Sequence, residues 1–217
     1  MRINIKKKNL AKVLALALEL FAVGLIIYLI ALPFYPKIVY KLEYSEPASR
    51  SEAQSVEKTK QKVAEFKNSF PKAEYAVSPN RLIIPKIGVN APIVESQSAD
   101  YGLSKGSWRV PESSTPDKGG NTVITGHRFK YLPPNNLTFY LLDKLKKGDI
   151  ISIIWKKQDY FYRVKETKVV PNTELSIMDQ TKEPILTLFT CDPIYSTKNR
   201  LVVIADLVRS GGREREE

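Results

Sequence analysis

One apolar run is much longer than any other in the chain. It extends from Val13 to Leu32 and contains a single charged residue, Glu19. As a helix, a run of twenty residues is about 30 Å long, the thickness of the hydrocarbon core of a bilayer. A cleaved signal peptide has a shorter apolar region that ends at a small-x-small site, whereas Pro-Phe-Tyr-Pro follows this run at residues 33–36. The pattern predicts an uncleaved transmembrane anchor over residues 13–35.

The charges that flank this run predict its orientation. Residues 1–12 contain five Lys or Arg and no acid, whereas only Lys37 and Lys41 lie in the ten residues after the anchor. The cytoplasmic flanks of membrane helices hold the excess of cations. We therefore expect a single-pass protein of the cell membrane, with residues 1–12 in the cytoplasm and residues 37–217 outside it.

A polar segment, residues 36–79, separates the anchor from the first predicted strand. Ser51-Glu52-Ala53-Gln54 matches a helix capping box, and apolar residues then recur at mostly helical spacing until Pro71. The segment is predicted to be a linker with a helix near residues 52–70.

From residue 80 onward, short apolar runs alternate with Gly, Pro and polar turns, which is typical of strands. Two short strands with a bend are expected in residues 81–95. The other predicted strands are Thr122–Thr125, Asp149–Trp155, Tyr160–Val170, Ile185–Cys191 and Arg200–Asp206. So many short strands within about 130 residues predict a mainly β domain, a closed β-barrel of seven to eight strands over residues 80–209. Residues 210–217 are predicted to form a flexible tail.

Two local features complete the predicted fold. The polar residues Lys156-Lys157-Gln158-Asp159 between two strand signals predict a four-residue hairpin loop. Leu137–Leu145 is predicted to be a short helix that ends at Lys146-Lys147-Gly148.

Composition excludes several classes of function. The formal net charge is +11, of which residues 1–12 supply +5, and the remaining cations are interspersed with acids over some 200 residues. A nucleic-acid site needs a clustered basic face with aromatic stacking positions, so nucleic acid is not an expected partner. One Cys and one His cannot form an internal disulfide or a four-ligand zinc site. No metal or cofactor is expected.

The single Cys is a candidate nucleophile. Cys191 is the last residue of its predicted strand, and Asp192-Pro193 must then leave the sheet, so the thiol is expected to be reachable. Arg200 opens the next strand, and a hairpin-like return would bring it beside Cys191. An adjacent guanidinium favours a thiolate and can donate hydrogen bonds to an oxyanion.

Two more residues extend this candidate site. The single His, His127, ends the strand signal in NTVITGHR, and strand ends beside loops are where scaffolds place reactive groups. Thr190 precedes the thiol and can offer its hydroxyl or the local backbone N–H to an oxyanion. Together these residues provide a nucleophile, a proton carrier and an electrostatic stabiliser.

Two other interpretations remain open from the residues alone. Ser196 and Lys198 could form a Ser/Lys peptidase pair, although they lie two residues apart in a turn-like loop where their side chains need not meet. Alternatively, the domain is a non-catalytic, membrane-anchored interaction barrel in which Cys191 only packs.

Residues 80–209 resemble the sortase family. Four segments follow the order found in that family: RLIIPKIGVNAPIVE, GNTVITGHR, FYLLDKLKKGDIISI and TLFTCDPIYSTKNRLVVIA. The most specific of them is Thr-Leu-x-Thr-Cys at residues 187–191, followed by Arg200-Leu201. The membrane anchor with an outer catalytic domain also matches the family. The stretch from Cys191 to Arg200 is most similar to the class D and class E sortases.

The resemblance implies roles for the candidate residues. Cys191 is implied to be the nucleophile, His127 the catalytic histidine and Arg200 the catalytic arginine. Thr190 matches the residue that assists at the oxyanion. No Asp-Pro-aromatic lid of the class C type precedes the domain. The acidic residues Glu112, Glu174, Asp179 and Glu183 are scattered and do not resemble the calcium site of class A.

The resemblance also implies a reaction and its partners. The enzyme would be a cysteine transpeptidase that cleaves an LPxTG- or LAxTG-like C-terminal sorting motif of secreted proteins through a thioacyl intermediate. An amine of a cell-wall precursor or a pilin lysine would then accept the acyl group. Release by water alone would make it a hydrolytic cysteine peptidase instead.

Overall fold

The computed structural model describes residues 2–44, 57–61, 64–65, 80–130 and 137–208, and within them eight strands close into a barrel. The strands are β1 (Arg81–Ile84), β2 (Val89–Glu95), β3 (Ser107–Arg109), β4 (Asn121–Thr125), β5 (Ile150–Trp155), β6 (Gln158–Pro171), β7 (Ile185–Asp192) and β8 (Asn199–Leu207). Their order around the barrel is β1-β2-β3-β4-β7-β8-β6-β5, and β5 pairs back with β1. The predicted closed, mainly β barrel is confirmed.

Two neighbouring pairs in this barrel are parallel, β2 with β3 and β4 with β7, and the other six are antiparallel. A parallel pair brings the carboxyl ends of two strands to the same edge of a sheet. The pair β4 and β7 therefore places two strand ends that are distant in the sequence side by side.

The core fills the inside of the barrel. In β7, Leu186, Leu188 and Thr190 are buried, whereas Phe189 and Cys191 are partly exposed. This is the alternation expected of a strand with one face on a core. The irregular chain around Phe139 and Leu142 also packs into this core. Cys191 therefore lies on the partly exposed face of β7, although Thr187 on that face is buried.

The α-helices in the described residues lie mainly outside the barrel. They include α1 (Arg2–Ala31), α2 (Tyr35–Tyr44) and α3 (Ala99–Lys105). The part of α1 from Lys12 to Ala31 is long and apolar enough to cross a bilayer, and none of it is buried against the rest of the protein. In α2, the Tyr40 hydroxyl donates a hydrogen bond to the Lys144 carbonyl oxygen at 3.3 Å.

The helix predicted near residues 52–70 lies mostly outside the described residues, and only 57–61 and 64–65 are described, as helical. The predicted tail, 210–217, lies outside the described residues as well.

Two local predictions were wrong. The hairpin between β5 and β6 has a two-residue turn, Lys156-Lys157, instead of four residues, because Trp155 already pairs with Gln158. Both lysines have positive φ, 48° and 69°, as the central residues of a type I′ turn do. The predicted helix Leu137–Leu145 is mostly irregular, with a single 3₁₀ turn at Leu142–Lys144. Five consecutive residues, 138–142, are buried there, which one face of a surface helix cannot achieve.

Candidate active site

The parallel register of β4 and β7 brings two predicted site residues to one edge of the barrel. Thr125 pairs with Phe189, and both strands lead directly into the candidate residues. Two hydrogen bonds join the strand ends: the Thr125 hydroxyl donates to the Phe189 carbonyl at 2.8 Å, and the Thr190 hydroxyl donates to the Gly126 carbonyl at 2.7 Å. Continuing the register of Thr125 and Phe189 by two residues sets His127 opposite Cys191.

The antiparallel register of β7 and β8 places Arg200 directly beside Cys191. The two residues are cross-strand partners, and Nη1 of Arg200 lies 3.7 Å from Sγ of the free, partly exposed thiol. The same Nη1 donates to the carbonyl oxygens of Thr197 at 2.9 Å and Asn199 at 3.0 Å. These bonds hold one end of the guanidinium over the sulfur. Within the described residues no acceptor is bonded to Nε or Nη2, which leaves both groups able to bind a substrate oxygen.

The environment of His127 favours the neutral imidazole. Partial burial lowers the pKa of His127, and the nearby positive charge of Lys130 lowers it further. The negative charge of Asp100, in α3, acts in the opposite direction but does not offset the other two effects. The backbone of His127 is fixed because its carbonyl oxygen accepts a hydrogen bond from the Phe139 N–H at 2.8 Å.

We expect the single imidazole to titrate below the ordinary value of about 6.5. The folded protein then binds fewer protons than the unfolded chain, so this histidine contributes stability above pH 6.5 that is lost as the pH falls through its folded pKa. Because the chain has one His, its NMR resonance can be followed against pH without assignment ambiguity. Removing the cation with Lys130→Met should raise the pKa of His127, and Asp100→Asn should lower it. A midpoint at or above the ordinary value would contradict this picture of the site.

Thr190 has a structural task in addition to any catalytic one. Its side chain is 1% exposed and bonds across to Gly126, on the core side of the strand, while Cys191 faces outward. A contribution of Thr190 to an oxyanion stays a prediction. Because the Thr190 hydroxyl already donates to Gly126, the donor to an oxyanion would be the backbone N–H.

Replacing Thr190 by valine should destabilise the barrel, because the Gly126 carbonyl would lose its donor inside the protein. We expect a loss of about 1–3 kcal/mol in the free energy of unfolding, measured by urea denaturation. Thr187→Val is a matched control on the same strand, since the buried Thr187 hydroxyl has no hydrogen-bond partner in the described residues. That control should be neutral or slightly stabilising. Equal stability of the two variants would show that the bond to Gly126 contributes nothing.

One charged residue of this region was missed by the sequence reasoning. Arg128 is 7% exposed, and its Nη1 donates to Oδ1 of Asp192 at 2.8 Å and lies 3.5 Å from the Cys191 carbonyl oxygen. Its Nη2 donates to Oδ1 of Asp143 at 3.1 Å. The signal that could have revealed it is positional: Arg128 follows His127 just as Asp192 follows Cys191, at the ends of two paired strands.

The loop between β7 and β8 contacts the segment after β4. The rings of Tyr195 and Phe129 meet edge to face with centroids 4.8 Å apart, although Tyr195 is largely exposed. In the same loop, the Ser196 hydroxyl oxygen accepts a hydrogen bond from the Lys198 backbone N–H at 3.2 Å. No bond between that hydroxyl and the Lys198 ammonium is present in the described part of the chain, so the geometry offers no support for a Ser/Lys pair.

The acidic residues of the described chain do not form a metal site. Among the described residues, no group of three or more His, Cys, Asp or Glu side chains is arranged to hold a metal ion. The polar groups at this edge include the thiol, the imidazole, the two guanidinium groups and the Asp192 carboxylate.

The comparison with known protein families matches this same β-barrel domain. The model of the sortase domain matches residues 82–208, and the chain belongs to the sortase family. The resemblance expected from residues 187–191 is therefore confirmed.

Individual relatives agree with this assignment. Sortase D of Bacillus subtilis is 34% identical over 137 residues, which cover 63% of this chain and 65% of that protein. Sortase A of Listeria monocytogenes is 30% identical over 129 residues, 59% of this chain and 56% of that protein. The chain thus matches about three fifths of the length of these relatives. The crystal structure of sortase E1 from Streptomyces coelicolor with a tripeptide in the active site has a TM-score of 0.54 and 26% identity, covering 60% of this chain and 87% of that one.

Proposed function

We propose that this protein is a membrane-anchored cysteine transpeptidase that cleaves a C-terminal sorting signal and joins the cleaved protein to an amine. The observation that carries the proposal is the placement of Arg200 Nη1 3.7 Å from Cys191 Sγ, with His127 at the end of the adjoining strand, in a member of the sortase family. The proposed signal is an LPxTG- or LAxTG-like motif.

In the first half of the reaction, the Cys191 thiolate attacks the carbonyl carbon at the Thr–Gly-type bond of the signal. A carbon–sulfur bond forms, and the carbonyl oxygen becomes an oxyanion beside Arg200, whose Nε and Nη2 can donate to it. His127 in its imidazolium form gives a proton to the leaving amine as the carbon–nitrogen bond breaks. The products are a thioacyl enzyme and the released C-terminal peptide.

In the second half, an amine attacks the thioacyl carbon. A new carbon–nitrogen bond forms, the carbon–sulfur bond breaks, and the neutral imidazole takes the proton that the amine loses. The lowered pKa of His127 suits this second step, because it makes the imidazole available as a base near neutral pH. The proposed acceptor is a cell-wall precursor amine or a pilin lysine.

The proposed location follows from the first helix. Residues 12–31 form the candidate membrane span, and the cations of residues 1–12 favour a cytoplasmic N-terminus. The catalytic domain, proposed as residues 80–209, then lies outside the cell, where it can meet secreted proteins. The linker of residues 36–79 connects it to the membrane span. The substrates and the acceptor both occur on that side of the membrane.

Incubation of the full chain in detergent with LPxTG and LAxTG peptides tests the proposal. Mass spectrometry should detect a peptide fragment bound to Cys191 and, when an amine such as a glycine oligomer or a lysine side-chain analogue is added, a new amide product. Peptides with the motif residues scrambled serve as the control. Cleavage without amide formation would favour the hydrolytic peptidase, and the absence of both adduct and cleavage would favour the non-catalytic barrel.

A further inference from the structure

The ion pair of Arg128 and Asp192 joins the segment that carries His127 to the segment that carries Cys191. Arg128 is the residue after His127, and Asp192 is the residue after Cys191. Their 2.8 Å ion pair joins chain positions 64 residues apart. Each partner is separated from a reactive side chain by one planar peptide unit, which has few soft dihedrals. A shift of this pair therefore moves the imidazole relative to the sulfur.

The Arg128 guanidinium also bonds to a third segment of the chain. Its Nη2 bonds to Asp143, in the 3₁₀ turn after β4, and the other oxygen of that carboxylate is 2.7 Å from the Lys144 ammonium. A planar fork with two separate donors suits such an arrangement, because it fixes both the distance and the direction of its partners. Arg128 thus holds the end of β4, the end of β7 and the 3₁₀ turn in one geometry.

Stability alone is a poor explanation for a charge in this place. Removing a guanidinium from water costs free energy that an ion pair often only offsets, and apolar residues of similar volume frequently do as well. Arg128 is also buried below the surface of the site, so it is not placed to contact a bound peptide. Its influence on chemistry has to pass through its neighbours.

We propose that Arg128 is a positioning residue: through Asp192 it sets the separation of His127 from Cys191 at which the proton can be transferred during peptide cleavage. This inference rests on the proposed function. Displacing a reacting group by about 1 Å can reduce a rate about 10²-fold without weakening substrate binding. The signature of Arg128 is accordingly an effect on kcat rather than on KM.

Steady-state kinetics of Arg128→Met on a cleavable peptide test the proposal. We expect kcat to fall about 10²-fold, with KM within about threefold of wild type. Arg128→Lys keeps the charge but not the fork, and should fall between Arg128→Met and wild type. Asp192→Asn should also lower kcat, and the double variant should lose no more than Arg128→Met alone, because both changes break one contact.

Lys86→Met is the matched control. Lys86 bonds to both oxygens of Asp149 at 2.8 and 2.7 Å in a half-buried ion pair that includes no residue of the site. Loss of the Lys86–Asp149 ion pair should leave kcat and KM unchanged, even if it lowers the melting temperature as much as Arg128→Met does. If Arg128→Met retains wild-type kcat, or if it raises KM alone, the proposal is overturned.

A second measurement separates this proposal from the proposed function. Capping Cys191 with a methylthio group should shift the NMR resonance of the single imidazole in wild type, because the register of β4 and β7 leads to neighbouring positions for the two residues. The shift should be much smaller in Arg128→Met and unchanged in Lys86→Met. If wild type cleaves no peptide but this pattern holds, the proposed function fails and the positioning stands. If wild type cleaves peptide and the shift is the same in all three proteins, the positioning fails alone.

Discussion

Replacing Cys191 by alanine is expected to abolish both the covalent adduct and peptide cleavage. The thiol is the single cysteine of the chain, it is partly exposed at the end of β7, and Arg200 lies against it. Loss of the nucleophile of a covalent catalyst costs on the order of 10⁶ in kcat, so turnover should fall below detection in a peptide assay. Intact-protein mass spectrometry after incubation with peptide measures the adduct directly.

Cys191→Ser provides the matched control for structure. It keeps the size of the side chain and an oxygen in place of sulfur, so the fold should be retained, while the hydroxyl at neutral pH is a far weaker nucleophile than a thiolate. An adduct that persists in Cys191→Ala would contradict the assignment. The modified residue, mapped by fragmentation, would then name the true nucleophile, and Ser196 would be the first position to inspect.

Arg200→Lys is expected to lose most of the activity although the charge is retained. The loss of one oxyanion donor typically reduces kcat about 10²- to 10³-fold. Nη1 of Arg200 donates to the Thr197 and Asn199 carbonyls, and in the proposed mechanism Nε and Nη2 donate to the substrate oxygen, whereas an ammonium is a single point with no fixed fork. Anchoring and oxyanion binding therefore cannot both be met by lysine. The measurement is kcat with a fluorogenic peptide.

Arg109→Lys is the matched exchange elsewhere in the barrel. Arg109 bonds to Glu95 and to the Ser113 carbonyl, so the change tests whether any arginine-to-lysine exchange in this fold is costly. We expect nearly full activity from it. Wild-type turnover in Arg200→Lys would show that Arg200 does not stabilise the oxyanion. An equal loss of activity in both variants would point to destabilisation of the fold instead.

Most strands were predictable because their apolar runs are local. β5, β7 and β8 are stretches of branched and aromatic residues bounded by turns, and the structure places them within one or two residues of the predicted limits. β3 and α3 were not predicted, since three and seven residues are too few to establish a period. The Lys156-Lys157 turn was missed because neither residue is a usual signal for positive φ.

The same difference between local and distant pairing applies to the residues of the candidate site. The approach of Arg200 to Cys191 follows from a strand, a loop and a strand, and it was predicted from the sequence. His127 was predicted as a candidate from its place at the end of a strand signal, but its position opposite Cys191 depends on the parallel pairing of β4 with β7, which no local pattern reveals. Arg128 was missed for the same reason: its partner lies 64 residues further on, and only the three-dimensional pairing shows that the two meet.

The parallel pairing of β4 with β7 also determines at which stage of folding the candidate site is assembled. The bonds that join the two strand ends span 64 residues, and both the thiol and its cross-strand arginine belong to the last two strands. Contacts so distant in sequence form late, after the entropy of closing the intervening loop has been lost. A chain folded only as far as β6 therefore has the His127 imidazole but neither Cys191 nor Arg200 beside it. The proposed activity requires closure of the barrel, so we expect the recovery of turnover after unfolding to report the final step of folding.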